Sequence, residues 1–493
     1  MSEGIVNYTH RMRLDSIASK FRDADSASIE SMGSLLYSES KSLRLKLAKY
    51  VDGDKSWPAT LSERAYLKSL EELCLISKMD EPSRGERIDS FREGLKSSSS
   101  IINIVFFVQE YSLWASFRSV YDYLSTRSDC RLKLVYVYAA NVVSKDETDD
   151  NIMQYRQAGY PIINMVDYDL AVDSPDIVFY LKPYKESNGT PTKLYIEEVS
   201  NHVEYSVFIS YCLDVQGGKQ LHRFFYAMPM FYYAWRVIAY SPHYESELKR
   251  FSYKDASNIV AFGHPKFDGI AEIISNSSQY RLPEWDEMIA GRPVIMWNTH
   301  FSTKPGTGVG TFLQHWRKVF DFFSSHQDYV LLWRPHPYFW GVFDRDGGYG
   351  MGGSKGVREM FERLPNVIVD DHGDYRHAFC TADALVSDAT TFMVEFGMTG
   401  KPVMYTPKED GESVIESAYL PGVQICSGDD DFLDYLMTAG KRPSSCEAGF
   451  FEREFGACDG HNGERIGSYI IEEMQSSLRD YGNVFFAKCS EGE

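Results

Sequence analysis

The chain has 493 residues, too many for one compact core, and its 43% hydrophobic and 25% charged content suits two or three globular domains rather than a disordered polymer. Lys and Arg number 51 against 70 Asp and Glu, a net charge of −19, which argues against a dedicated nucleic-acid binder while still allowing a local basic pocket for one nucleotide. The eight cysteines are scattered with no CxxC pair, no charged-then-apolar leader is seen and no apolar run reaches membrane-spanning length, so a soluble cytoplasmic protein with structural thiols is expected.

Residues 1–98 read as a helical extension. Apolar residues recur at three- and four-residue spacing in SLLYSESKSLRLKLAKYV and LSERAYLKSLEELCLI, as in amphipathic helices, with DGDKSWPAT as the loop between them. The run Lys41 to Lys49 is basic along one face. That face either lies solvated on the main body or makes a peripheral contact with the inner face of an anionic plasma membrane. GLKSSSS reads as a linker, after which the texture changes.

IINIVFFV has the character of a buried strand, SFRSVYDYLSTR of a one-sided helix and RLKLVYVYAA of a second strand. IMQYRQAGYPIINMV, PDIVFYLKPY and YSVFISYCLD continue the alternation, which predicts a parallel, doubly wound unit over residues 99–275. The pattern restarts in RPVIMWNTHF, YVLLWRPHP, NVIVDDH, ADALVSDATT and KPVMYTP, giving a second unit over 276–445. Residues 446–493 are expected to be helical and to pack back across the domains. The predicted fold class is α/β, with two Rossmann-like domains facing a cleft.

In open parallel sheets, ligands bind beyond the carboxyl ends of the strands. In the second unit those ends carry Thr299-His300-Phe301-Ser302, Arg334-Pro335-His336-Pro337 and Ser387-Asp388-Ala389-Thr390-Thr391, the last running into FMVEFGMTG. Ser387, Asp388, Thr390 and Thr391 are N-cap types, and a helix opening there offers free N–H groups and a positive dipole end to a diphosphate. Glu395, about one turn on, is placed to accept from ribose hydroxyls. An ordinary capped helix is the alternative.

Arg334 supplies a fork of donors for phosphate and His336 one more, unless they are a surface arginine and a core histidine. His300 is a candidate general base, a phosphate ligand or an interface histidine. Gly263-His264-Pro265-Lys266 follows the strand NIVAF, with Gly263 in the turn and basic Lys266 near the hinge. Asp344-Arg345-Asp346 and Asp429-Asp430-Asp431 have the Asp-x-Asp form of a metal site, but both read as solvated loops outside the strand-end set. His372 and His377 lack further ligands.

GHPKFD, WNTHFS, RPHP and SDATTFMVEFGMTGKPVMY, in that order and spacing, resemble the CDP-glycerol glycerophosphotransferase family, the teichoic-acid and capsule polymerases of bacteria. The resemblance runs over roughly residues 100–470, best over 290–410, and DGHNGERIGSYI is similar to the family's closing helix. It implies a GT-B fold with no required metal or cofactor. It also implies transfer of glycerol or ribitol phosphate from a CDP-linked donor to a hydroxyl of a surface polymer or lipid-linked primer.

By that resemblance Arg334, His336, Ser387, Thr390 and Thr391 hold the donor diphosphate and Glu395 lies near the ribose. Asp388, Gly263 and Lys266 complete the candidate donor set, and His300, His336 and Arg334 are the candidate catalytic residues. Family members typically carry a Trp-His-Gly segment in the first domain, whose histidine is the proposed base. The corresponding SVFISYCLDVQGGK has Tyr211 and Asp214 but no histidine, which marks a divergent branch. The same cleft suits a nucleotide sugar attacked at its anomeric carbon, or a nucleotide- or glycan-binding module without turnover.

Overall fold

The computed structural model describes residues 6–49, 59–96, 98, 100–138, 145–186, 189–213, 225–252, 256–305, 308–388, 390–408, 423–438 and 450–487. The extension is built from four helices, α1 (Tyr8–Asp23), α2 (Ser26–Lys49), α3 (Leu61–Ile76) and α4 (Glu81–Leu95), around a core that includes Leu14, Ile17, Leu36, Leu70, Leu73 and Ile88. A capping box starts α3: Thr60 Oγ1 accepts from Glu63 N at 3.0 Å, and the Glu63 carboxylate accepts from Thr60 N at 2.8 Å. Most of the predicted DGDKSWPAT loop lies outside the described residues. Within the basic run, Arg44 pairs with Glu71 and Lys46 donates to the Asn201 carbonyl at 2.6 Å, so part of that face is committed to the body.

Two parallel sheets follow. The first has the order β3-β2-β1-β4-β5-β6-β7, from β1 (Ile102–Val108), β2 (Cys130–Tyr136), β3 (Ile162–Asn164), β4 (Ile177–Tyr180), β5 (Tyr205–Ile209), β6 (Arg236–Ala239) and β7 (Ile259–Ala261). The second has the order β10-β9-β8-β11-β12-β13, from β8 (Val294–Thr299), β9 (Val330–Pro335), β10 (Val367–Val369), β11 (Ala384–Ser387), β12 (Val403–Tyr405) and β13 (Gln424–Ile425). In both, the winding reverses beside the central strand, at β1/β4 and at β8/β11. Those are the switch points where such sheets open a crevice. The continuous apolar runs of β1 and β8 follow from burial on both faces.

The helix Asn462–Ala487 ties the extension to the first sheet, with Ile466, Ile470 and Met474 in the sheet's core and Phe485 in that of the extension. No helix among the described residues is long and apolar enough to cross a membrane.

Two expected loops are helical instead. Asp344 and Arg345 end the helix Phe339–Arg345, and Asp429–Asp431 open the helix Asp429–Thr438. Carboxylates in a first turn are favoured by the helix dipole, which explains the second triplet without a cation. Asp344 accepts from Ser354 N and Oγ, each at 2.6 Å, and Asp429 pairs with Lys318.

Candidate active site

Parallel register brings the three strand ends of the second sheet level. Asn298 pairs with Arg334 and with Ser387, so His300 and His336 emerge side by side, their ring centroids 5.6 Å apart. His336 N donates to Thr299 O at 2.8 Å, continuing the ladder past the end of β9. A polar chain crosses the strands beneath: Ser387 Oγ donates to Asn298 Oδ1 at 3.0 Å, and Asn298 Nδ2 donates to Arg334 O at 2.8 Å.

Asp388 clamps two loops. One oxygen accepts from His300 N at 2.7 Å, and the other accepts from Thr311 N at 2.6 Å and Thr311 Oγ1 at 3.0 Å. Burial raises its carboxyl to about 6 against the pull of those hydrogen bonds.

The two histidines share one protonation pattern. His336 Nδ1 accepts from Tyr338 N at 3.1 Å. His300 Nδ1 accepts from Ser302 N at 3.2 Å and lies 2.7 Å from Ser302 Oγ, whose lone pairs take Val309 N and Gly310 N. Each ring therefore carries its proton on Nε2. Burial lowers His336 to about 3 and His300 to about 4, so both are neutral Nε2–H donors.

Arg334 is not a free fork. Its guanidinium donates to Asp370 Oδ2 at 2.5 Å and to the His372 carbonyl at 2.8 Å, and Asp370 also binds His372 Nδ1 at 2.8 Å. Glu395 is likewise engaged, by Lys266 Nζ at 2.8 Å. Thr390 opens the helix Thr390–Gly397, Thr391 Oγ1 donates to the Leu213 carbonyl at 3.2 Å, and Ala389 lies outside the described residues. Gly263 has φ +93°, and a Cβ there would lie 2.0 Å from the Asn462 side chain. The closing helix thus dictates that glycine.

The first sheet contributes residues that motif reading missed. Glu110 follows β1, and Lys182 follows β4. Lys182 Nζ lies 2.9 Å from Glu110 Oε1 and 2.8 Å from Oε2, and the Tyr338 hydroxyl reaches from the second unit to donate to Oε1. Burial raises the Glu110 carboxyl, but the Lys182 charge and the hydrogen bonds of Lys182 and Tyr338 outweigh it and hold it below its ordinary value. The Tyr338 ring is 5.3 Å from that of His336, so this network meets the histidine pair.

A neighbouring pocket shares Lys266 with this set and is lined by Tyr111, Trp114, Arg118, Asp374 and Arg376 among others. Its two guanidiniums are matched by carboxylates, Arg118 to Glu272 at 2.8 Å and Arg376 to Asp374 at 2.6 Å. No group of three or more His, Cys, Asp or Glu placed to hold a metal occurs among the described residues.

Residues 230–472 match the family model described as CDP-glycerol:poly(glycerophosphate) glycerophosphotransferase. Among solved structures, the wall teichoic acid polymerase TagF is similar at 14% identity and a TM-score of 0.51, over 80% of this chain and 95% of that one. A structure described as a UDP-N-acetylglucosamine 2-epimerase from Listeria monocytogenes is similar at 12% identity and a TM-score of 0.50, over 76% of this chain and 97% of that one. At such identities the likeness establishes the fold, two Rossmann-like sheets in the GT-B arrangement. None of the curated proteins matches this chain in sequence.

Proposed function

We propose, from the match of residues 230–472 to the CDP-glycerol:poly(glycerophosphate) glycerophosphotransferase family, that the chain transfers a polyol phosphate, glycerol or ribitol phosphate, from a CDP-linked donor to a hydroxyl of a surface polymer. The observation that carries this reading is the pair of neutral Nε2–H donors, His300 and His336, at adjacent strand ends beside the helix that opens at Thr390. Together with the N–H groups of that helix's first turn they suit the non-bridging oxygens of a diphosphate. Arg334 acts through the loops: its engagement with Asp370 and His372 fixes the ends of β9 and β10 under His336.

In the reaction proposed, the acceptor oxygen bonds to the distal phosphorus as the bond to the bridging oxygen breaks. CMP departs with that electron pair, and fixed donors meet the charge that develops on it. This route uses no metal or cofactor. The acceptor is a glycan or lipid-linked chain at the inner face of the plasma membrane, and the protein is cytoplasmic, with the free part of the basic face of α2 available for peripheral contact.

The test is turnover with defined donors and a polyol-phosphate-primed acceptor. CMP release from CDP-glycerol or CDP-ribitol supports the proposal. Release of UDP or GDP from a sugar nucleotide instead assigns the cleft to a glycosyltransferase, and donor binding without turnover assigns it to a non-catalytic module.

A further inference from the structure

A hydroxyl that attacks phosphorus must lose its proton, and neither His300 nor His336 offers a basic nitrogen for it. In His300 and His336, Nδ1 already accepts a backbone N–H and Nε2 carries the proton. His264, beyond β7, is used on both sides: Nδ1 accepts from Lys266 N at 3.2 Å and Nε2 lies 2.8 Å from the Ser210 carbonyl. The end of β5, where the family resemblance places a histidine, holds Ser210, Tyr211 and Cys212. The neighbouring Cys212 and burial push the Tyr211 phenol far up, which keeps it protonated.

The carboxylates narrow in the same way. Asp388 is consumed by two backbone N–H groups and a hydroxyl, Asp370 by Arg334 and His372. Glu395 is only 1% exposed and faces Lys266. Glu110 differs: its side chain is 17% exposed, it projects from the first sheet, and it contacts the second unit through the Tyr338 hydroxyl. That phenol occupies, at Glu110 Oε1, the position of an alcohol donating its proton. It does so beside His336, whose ring lies 5.3 Å from that of Tyr338.

Resting on the polyol-phosphate reading, we propose that Glu110 is the general base of the transfer, with Lys182 holding its carboxylate in place and the acceptor hydroxyl displacing Tyr338 from Oε1. The acceptor O–H breaks and its proton passes to Glu110. The acceptor oxygen forms its bond to the distal phosphorus while CMP leaves with the electrons of the broken P–O bond. Glu110 then returns the proton to solvent. A carboxylate serves as base here because the proton moves as the O–P bond forms, as the catalytic aspartate does in protein kinases. It takes over the task that a histidine is proposed to perform in the resemblance.

The test compares full-length wild type, Glu110→Gln and Glu110→Asp. Glu110→Gln is expected to lower kcat for transfer by about 100-fold or more, the usual contribution of a positioned base, with the affinity for CDP-glycerol changed less than about threefold. Glu110→Asp is expected to recover part of the rate. An acceptor whose hydroxyl is acidified by neighbouring fluorine needs less help from a base, so the Gln defect should shrink with it, a response that a purely structural role does not give.

If Glu110→Gln fails to fold, Glu110→Asp carries the same comparison of acceptors. Wild-type-like kcat in Glu110→Gln, or a defect that is the same for both acceptors, overturns the assignment while leaving the transferase reading intact. A wild type inactive with every CDP-polyol overturns both.

Discussion

Lys266→Met isolates the ion pair that joins the two halves of the cleft. Lys266, at the start of the helix after β7, and Glu395, in the helix after β11, meet at 2.8 Å with side chains only 8% and 1% exposed. Removing one member of such a pair leaves an uncompensated buried charge, which costs about 3–5 kcal/mol, whereas replacing both members is often close to neutral. Lys266→Met is therefore expected to destabilise the protein by about 3 kcal/mol, and Lys266→Met/Glu395→Gln to recover at least half of that. Urea unfolding of the four proteins of the cycle reads the coupling directly, provided that the m-value is unchanged. A Lys266→Met variant within about 0.5 kcal/mol of wild type, or a double variant no better than the single one, would show that the pair does not form as described.

Three further outcomes are expected. Burial lowers His10, His264 and His336 to about 3 and His300 and His315 to about 4. The unfolded chain binds protons at these sites below its ordinary histidine value while the folded chain refuses them, so their stabilisation is full above about pH 6.5 and lost as pH falls. Asp176 and Asp388, raised by burial to about 6, take up protons in the folded state between pH 6 and 4 and work the other way. Five histidines against two aspartates leave about three protons net, at most about 4 kcal/mol per pH unit near pH 5.5, so urea midpoints should drop steadily from pH 7 to pH 5. Constant midpoints would contradict the neutral histidines.

His336→Ala and His300→Ala should each lower kcat at least tenfold, on the order of 1.4 kcal/mol or more of transition-state stabilisation, and near-normal steady-state rates in both would remove them from the site. EDTA should leave turnover largely intact; a complete loss restored by a divalent ion would return attention to the Asp-x-Asp segments.

The alternation of short apolar strands with helices made both sheets readable in outline, because β1 and β8 are buried on both faces and carry unbroken apolar runs. β6 and β13 escaped notice: RVIA sits among tyrosines and a tryptophan, and β13 is two residues long. The strand-end rule puts His300 and His336 at the same edge of the second sheet, where the structure has their rings 5.6 Å apart, but it is silent wherever a charge finds its partner far along the chain.

Arg334 and Glu395 read as free ligand-binding groups, yet their partners Asp370 and Lys266 lie 36 and 129 residues away. Glu110 and Tyr338 meet across 228 residues, a distance over which no local pattern reports contact. The signal that exists is the strand-end rule itself, extended to the first sheet, where VQEY and YLKPY place Glu110 and Lys182 beyond β1 and β4.

The most direct measurement of polyol-phosphate transfer is ³¹P NMR of a reaction containing the full-length protein, CDP-glycerol and a glycerophosphate-primed acceptor. Loss of the two diphosphate resonances, with matching growth of CMP and of a phosphodiester on the acceptor, is the expected result. Unchanged CDP-glycerol, alongside consumption of a sugar nucleotide to give a nucleoside diphosphate and a new glycoside, would contradict it.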